Sequence, residues 1–182
     1  MAFISLPDGA PGIAGPMQGY PETAVHLRGL ANALLRGPSS LTPGERETIA
    51  AFVSSGNECA FCTRSHAAVA RYHLGEERAI VDEVLSGDVL GSVSAKLGAL
   101  LEIAEKVRRD GREVRVEDVE RARVAGADDK AIHDTVLIAA AFSMYNRYVE
   151  GLGTWAPDDE AMYESMGARL AKNGYIPDRT VD

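Results

Sequence analysis

Apolar residues recur along this chain at the spacing of α-helices, and this periodicity limits the fold more than any other feature of the sequence. It is clearest between Ser94 and Arg109, where apolar residues follow one another at i, i+3, i+4, i+7 and i+10: Leu97, Leu100, Leu101, Ala104 and Val107. No segment alternates apolar and polar residues over the length of a β-strand. The sequence therefore predicts an all-α fold.

Glycine, proline and capping residues set the bounds of the predicted helices. Thr42 and Glu45 have the spacing of a capping box, which marks the start of one helix. Asn57 is the predicted N-cap of the next helix, so Cys59 and Cys62 would lie in its first turn. The predicted helices are Glu22–Leu35, Pro43–Ser55, Glu58–Leu74, Glu76–Leu85, Ser94–Arg109, Val116–Ala125, Asp129–Glu150 and Asp158–Asn173.

The chain of 182 residues suits a single domain overall. Residues 1–37 are expected to form an N-terminal arm and a first helix, and residues 38–182 the main helical domain. From Pro7 to Pro21 the chain holds four Pro and four Gly, a composition that predicts an irregular arm without helix.

The long helix predicted near the C-terminus is apolar on nearly all sides between Val136 and Tyr145. A helix of this kind is buried either at the centre of a domain or in a subunit interface. Because the arm could also wrap a neighbouring chain, we expect a homo-oligomer, either a dimer or a hexamer. Asn146 and Arg147, polar residues beside this stretch, are expected to satisfy buried helix ends or to pair with acidic residues rather than to contact substrate.

Charge and hydropathy argue against nucleic-acid and membrane partners. The net charge is −8, with 19 Lys and Arg against 27 Asp and Glu, and the densest basic cluster is only Lys106–Arg109. The apolar run from Val136 to Tyr145 is far shorter than the ~20 residues that span a bilayer. The N-terminal residues do not resemble a secretory signal, so we expect a cytoplasmic protein.

The most informative segment contains the two cysteines of the chain, Cys59 and Cys62, followed by His66. On a helix these offsets place the three side chains within an arc of roughly 60°. A helix N-terminus and a neighbouring imidazole both favour the thiolate form, which is the reactive form of cysteine. A disulfide between residues three apart on a helix is expected to be strained and therefore easily reduced.

A base such as His66 works better when a third group orients it. Glu47 lies on the preceding helix, and an antiparallel return of the chain would bring its carboxylate close to His66. The spacing alone leaves Glu45 and Glu58 as competing candidates for this role.

These residues resemble the signature of the AhpD-like alkylhydroperoxidases in the carboxymuconolactone decarboxylase superfamily. In that signature a Glu precedes Cys-x-x-Cys by eleven residues and a His follows after three more; the matching residues here are Glu47, Cys59, Cys62 and His66. The resemblance extends over about Pro38 to Asp110. The later segment from Ala139 to Arg147, followed by Gly151, is similar to the subgroup called peroxidase-related proteins.

The resemblance implies an all-helical fold that assembles into oligomers and a thiol peroxidase that uses no haem, metal or other cofactor. By analogy with the family, Cys62 attacks hydrogen peroxide or a small organic hydroperoxide and becomes a sulfenic acid. Cys59 then forms a disulfide with it, and a dithiol donor restores both thiols. His66 would be the base and Glu47 would complete the proton relay. This chain lacks the histidine that the best-studied member has between its cysteines, so the relay is expected to be shorter.

Other interpretations of the cysteine pair remain open. The chain could be a non-catalytic helical oligomer that uses the pair for redox sensing or metal binding. Glu47, His66 and the two cysteines are ligand types that zinc accepts, although their spacing on one helix suits tetrahedral geometry poorly. The cysteines could also be small buried apolar residues without chemistry. Decarboxylases of the superfamily lack the pair, so its presence argues against lactone decarboxylation.

Overall fold

The computed structural model describes residues 2–87 and 93–176, and within these ranges the chain is helical without β-strands. The α-helices are α1 (Ala14–Gly19), α2 (Pro21–Arg36), α3 (Pro43–Gly56), α4 (Ala60–Leu74), α5 (Ala79–Ser86), α6 (Ala95–Asp110), α7 (Val116–Val124), α8 (Asp129–Gly151) and α9 (Glu160–Asn173). Short 3-10 turns follow α4 at Gly75–Glu77 and α6 at Gly111–Glu113. The predicted all-α fold is confirmed.

Helix α8 lies at the centre of the fold and packs against α3 and α6. Its side chains Ile138 and Phe142 are buried in one apolar cluster with Ile49 of α3 and Leu100 of α6. One side of the apolar stretch of α8 is therefore buried within the chain itself, whereas Leu137 and Met144 on its other side are exposed. Among the described residues, no helix has the length and apolar character needed to cross a membrane.

Helix α4 packs between α3 and α9, and small residues let these helices approach closely. Ala51 of α3 is fully buried, and Ala67 and Ala70 of α4 are buried in the same cluster. On the other side, a Cβ added to Gly167 of α9 would lie 2.8 Å from the Cβ of Ala68, closer than carbon atoms pack. Glycine is therefore needed where α9 crosses α4.

Most predicted helix bounds agree with the structure to within two residues. The capping box at the start of α3 is present, because Thr42 Oγ1 accepts from the Glu45 N–H and Glu45 accepts from the Thr42 N–H. Asp128 caps α8. The predicted helix from Glu76 is wrong at its start, since Gly75–Glu77 is a 3-10 turn and α5 begins only at Ala79.

The prediction of an arm without helix is wrong between Ala14 and Gly19, which form α1. Pro16 is the third residue of this helix. The first backbone N–H groups of a helix have no acceptor within it, so proline loses no hydrogen bond there.

The N-terminal arm packs on its own chain. The Phe3 N–H donates to the Leu152 carbonyl at 2.9 Å, and the Gly12 N–H donates to the Trp155 carbonyl at 2.9 Å. Gly12 has φ +51, and a Cβ there would lie 2.1 Å from a ring carbon of Phe61. Glycine thus allows the arm to pass directly over the first turn of α4.

The buried guanidinium of Arg46 closes the C-terminal end of α2. Its Nη1 donates to the carbonyls of Leu34 and Gly37, both at 2.9 Å, and the residue is only 3% exposed. The last carbonyls of a helix have no partner within it, so Arg46 satisfies groups that would otherwise be buried without a donor.

Replacing Arg46 by Met should lower the free energy of unfolding by about 3 kcal/mol, because two carbonyls lose a charged donor. Urea unfolding followed by circular dichroism measures this change. The exposed Arg78 offers a matched control, and Arg78→Met should change the free energy by less than about 0.5 kcal/mol. Equal stability of Arg46→Met and the wild type would contradict the capping role.

Candidate functional site

The turn between α3 and α4 departs from its predicted form. Asn57 is the C-cap of α3 rather than the N-cap of α4, and Cys59 takes the N-cap position of α4. Glu58 between them has φ +58, which reverses the chain direction. The prediction that both cysteines lie in the first helical turn is therefore wrong for Cys59 and holds for Cys62.

A network of polar side chains holds this turn. Asn57 Nδ2 donates to Asn146 Oδ1 at 2.9 Å, and Asn146 Nδ2 donates to Ser54 Oγ at 3.0 Å. The Ser54 carbonyl accepts from the Cys59 N–H at 3.0 Å. Asn146 is 1% exposed, so these hydrogen bonds satisfy a buried amide beside the C-terminal end of α3.

The two cysteines are free thiols in different surroundings. Cys59 is fully buried, whereas Cys62 lines a cavity. A hydrogen bond with the Cys62 side chain raises the pKa of Cys59, and burial raises it further. The raised pKa keeps the Cys59 thiol protonated, so the buried Cys59 is the less reactive member of the pair.

Cys62 and His66 lie one helical turn apart on α4 and border the same cavity of about 300 Å³. Of the three side chains predicted to share one face, Cys62 and His66 border this cavity and Cys59 does not. The cavity lies among α1, α2, α4, α8 and α9, and much of its wall is apolar: Ile13, Met17, Phe142, Met166, Leu170 and Ile176. Such a wall excludes water from the thiol and admits an apolar molecule.

Glu47 reaches His66 from the neighbouring helix α3. Its Oε2 lies 2.7 Å from His66 Nδ1, and its side chain is fully buried. A carboxylate only accepts hydrogen bonds, so Nδ1 carries the proton and donates. In the neutral ring this leaves Nε2 free to accept a proton. Of the three candidate carboxylates, the structure brings Glu47 to the histidine.

Two further residues hold the Glu47 carboxylate in place. Arg36, the last residue of α2, forms an ion pair with Glu47 Oε1 at 3.0 Å. The Tyr175 hydroxyl donates to the same oxygen at 2.7 Å and lies 3.3 Å from His66 Nδ1. Burial and the charge of Glu47 raise the pKa of Tyr175 well above its ordinary value, so the hydroxyl stays protonated and donates.

Aromatic contacts fix the plane of the His66 ring. Tyr175 stacks on it at 5.8 Å between ring centroids, and Phe142 meets it edge-on at 4.6 Å. Neither Arg36 nor Tyr175 was predicted from the sequence. Both are far from the cysteines along the chain, and neither is part of the family signature that Glu47, Cys59, Cys62 and His66 match.

The comparisons with known proteins agree with this site. A model of the carboxymuconolactone decarboxylase family matches residues 21–106. An uncharacterized peroxidase-related protein from Ralstonia eutropha JMP134, described as an alkylhydroperoxidase AhpD core, is 27% identical with a TM-score of 0.76, covering 86% of this chain and 80% of that one. These findings support the assignment of the chain to the AhpD-like carboxymuconolactone decarboxylase superfamily.

Two other solved structures are similar to this AhpD-like chain. A peroxidase-related protein from Silicibacter sp. TM1040 is 26% identical with a TM-score of 0.73, covering 84% of this chain and 80% of that one. A protein of unknown function from Agrobacterium tumefaciens is 20% identical with a TM-score of 0.68, covering 79% of this chain and 97% of that one. The latter likeness shows the fold alone. No curated protein sequence matches the chain.

The described part of the structure does not provide the cysteine pair with the further ligands that a metal site needs. Within residues 2–87 and 93–176, no three His, Cys, Asp or Glu side chains are grouped so that they could hold a metal ion. The Glu47 carboxylate is instead bound by His66, Arg36 and Tyr175.

The different burial of the two AhpD-like cysteines predicts the order in which they react. Limiting iodoacetamide on the native protein should alkylate Cys62 well before Cys59, because Cys62 borders the cavity whereas Cys59 is fully buried and its raised pKa keeps the thiol protonated. Peptide mass spectrometry at successive times measures both sites. In urea, where both are exposed, the rates should become similar. Faster alkylation of native Cys59 would contradict the assignment.

Proposed function

We propose that this chain is a thiol peroxidase that reduces hydrogen peroxide or small organic hydroperoxides through a Cys59–Cys62 disulfide. One observation carries the proposal: Cys62 and His66 share a cavity while the fully buried Glu47 is hydrogen bonded to His66 at 2.7 Å. A nucleophile, a base and a group that orients the base are the components of nucleophilic catalysis. The superfamily membership supports the same reaction class.

His66 is the base that removes the Cys62 proton. Its Nδ1–H is committed to Glu47, so the proton is taken at Nε2. The imidazolium formed in this way is stabilised by the Glu47 carboxylate. Arg36 and Tyr175 keep that carboxylate from rotating away and satisfy its second oxygen. Tyr175 is thus a positioning residue.

The first chemical step is attack of the Cys62 thiolate on the distal oxygen of the hydroperoxide. The S–O bond forms as the O–O bond breaks, so the sulfur is oxidised to a sulfenic acid and the peroxide is reduced. The departing alkoxide takes the proton held by His66 and leaves as an alcohol, or as water from hydrogen peroxide. General acid catalysis of this kind contributes roughly 10²–10⁴-fold to a rate.

The second step forms the disulfide. Cys59 is the N-cap of the helix that carries Cys62, and the interaction between the two thiols raises the pKa of Cys59 in the reduced protein. The Cys59 sulfur attacks the sulfenic acid, hydroxide departs and takes the Cys59 proton, and water is released. A dithiol donor then reduces the disulfide by thiol exchange, which returns both cysteines to the starting state.

Single cysteine variants separate the two steps. Without a reductant, Cys62→Ser should consume no peroxide, because the attacking sulfur is lost. Cys59→Ser should consume one equivalent and stop with a sulfenic acid at Cys62, which dimedone labels for mass spectrometry. With dithiothreitol the wild type should turn over continuously. Equal peroxide consumption by the wild type and Cys62→Ser would contradict the proposal.

Matched histidine variants test the base. His66→Asn should slow oxidation of Cys62 by roughly 10²-fold or more. His26 is exposed on α2 away from the cavity, so His26→Asn should react at the wild-type rate. Circular dichroism confirms that each variant is folded. Equal rates for His66→Asn and His26→Asn would remove His66 from the mechanism.

A further inference from the structure

The cavity beside Cys62 differs in charge from the rest of the chain. The sequence has 27 acidic and 19 basic residues, yet among residues 2–87 and 93–176 no Asp or Glu lines this cavity, whereas Arg28 and Arg169 do. The larger groove of about 1380 Å³ beside α6 and α7 is lined by side chains of both signs, including Glu102 and Lys106. A cavity with arginines and without carboxylates favours a negatively charged ligand.

Both arginines are available to a ligand. Arg28 on α2 is half-buried and Arg169 on α9 is exposed. Within the described ranges, neither forms an ion pair with an acidic side chain, in contrast to Arg36 and its partner Glu47. Guanidinium groups bind carboxylates through paired hydrogen bonds, which become stronger where apolar walls exclude water.

The volume and the apolar wall of the cavity limit the size and the polarity of the uncharged part of the ligand. A cavity of about 300 Å³ is at the lower end of small-molecule sites, which have roughly 300–1,000 Å³. If each non-hydrogen atom takes the ~30 Å³ of a water molecule in the liquid, the cavity holds a ligand of about ten such atoms. The apolar residues Met17, Phe142 and Met166 suit an aliphatic chain rather than a sugar or nucleotide.

We infer that the cavity binds a medium-chain aliphatic carboxylate, with Arg28 and Arg169 holding its charged group and the chain lying toward Cys62. The inference rests on the proposed function and names its substrate class, a carboxylated aliphatic hydroperoxide. The chemical step is the one given above: Cys62 takes the distal oxygen, the O–O bond breaks, and the hydroxy acid leaves. Hydrogen peroxide lacks both the chain and the charge that the cavity recognises.

Binding of octanoate tests the site without any peroxide chemistry. Octanoate has about ten non-hydrogen atoms, and octanamide matches its shape without the charge. Isothermal titration calorimetry on the reduced full chain should show octanoate binding at least ten-fold more tightly than octanamide. The reason is that hydrogen bonds from guanidinium groups to a charged carboxylate are stronger than those to a neutral amide. Equal affinities, or no octanoate binding, would overturn the inference.

Arginine variants test whether Arg28 and Arg169 bind the carboxylate. The Arg28→Gln/Arg169→Gln variant should bind octanoate and octanamide with equal affinity, because the charged partners are gone. Arg78 is exposed and outside the cavity, so Arg78→Gln should keep the wild-type preference. Circular dichroism checks the fold of both proteins. A preference that persists in the double variant would overturn the assignment of the arginines.

A kinetic comparison separates this inference from the proposed function. With dithiothreitol as donor, kcat/KM should be at least ten-fold higher for a hydroperoxy-octanoic acid than for its methyl ester, and the ratio should fall toward one in the double arginine variant. Octanoate binding as predicted without turnover of either hydroperoxide would support the carboxylate site and overturn the peroxidase. Turnover with equal kcat/KM for acid and ester would support the peroxidase and overturn this substrate class.

Discussion

The hydrogen bond between the buried Glu47 carboxylate and His66 joins parts of the chain that are distant in sequence. A buried carboxylate is tolerated only when it is paired and hydrogen bonded, since its desolvation costs several kcal/mol or more. Here the partners come from three places: His66 from α4, Arg36 from the end of α2 and Tyr175 from the segment after α9. The packing of these elements and the orientation of the imidazole therefore depend on the same charge.

The turn between α3 and α4 gives the two cysteines different tasks in the proposed cycle. Glu58 is the one non-glycine residue with positive φ in the described part of the chain, a conformation that costs roughly 1 kcal/mol or more. The polar network around Asn146 compensates for this strain. As a result Cys59 sits at the N-cap, fully buried, while Cys62 borders the cavity one turn before His66. We propose that the first resolves and the second attacks.

Local signals predicted most of the helices and part of the site. The capping box at Thr42 and the Asp128 cap depend on neighbouring residues, so their positions could be read directly from the sequence. The Cys62–His66 pair follows from helical spacing. The antiparallel return of two adjacent helices left Glu45, Glu47 and Glu58 as candidates, and the family signature selected Glu47. Each of these features involves short distances along the chain, where periodicity is informative.

The features that the sequence did not reveal depend on tertiary contacts. Tyr175 reaches His66 only because α9 packs along α4 at Gly167, and no local pattern encodes that crossing. The N-cap position of Cys59 follows from the positive φ of Glu58, a conformation uncommon for glutamate. Helix α1 forms despite Pro16 because the proline falls in the first turn. In each case the fold overrides a local preference that is otherwise reliable.

In the proposed cycle, the buried Glu47 carboxylate makes His66 an effective base for Cys62. The most direct test of this role is the rate of thiol loss after one equivalent of hydrogen peroxide, compared between the wild type and Glu47→Gln. The wild type should lose two thiols as a Cys59–Cys62 disulfide that dithiothreitol reverses. The folded Glu47→Gln protein should lose them at least ten-fold more slowly. Equal rates of disulfide formation in the two proteins would contradict the account.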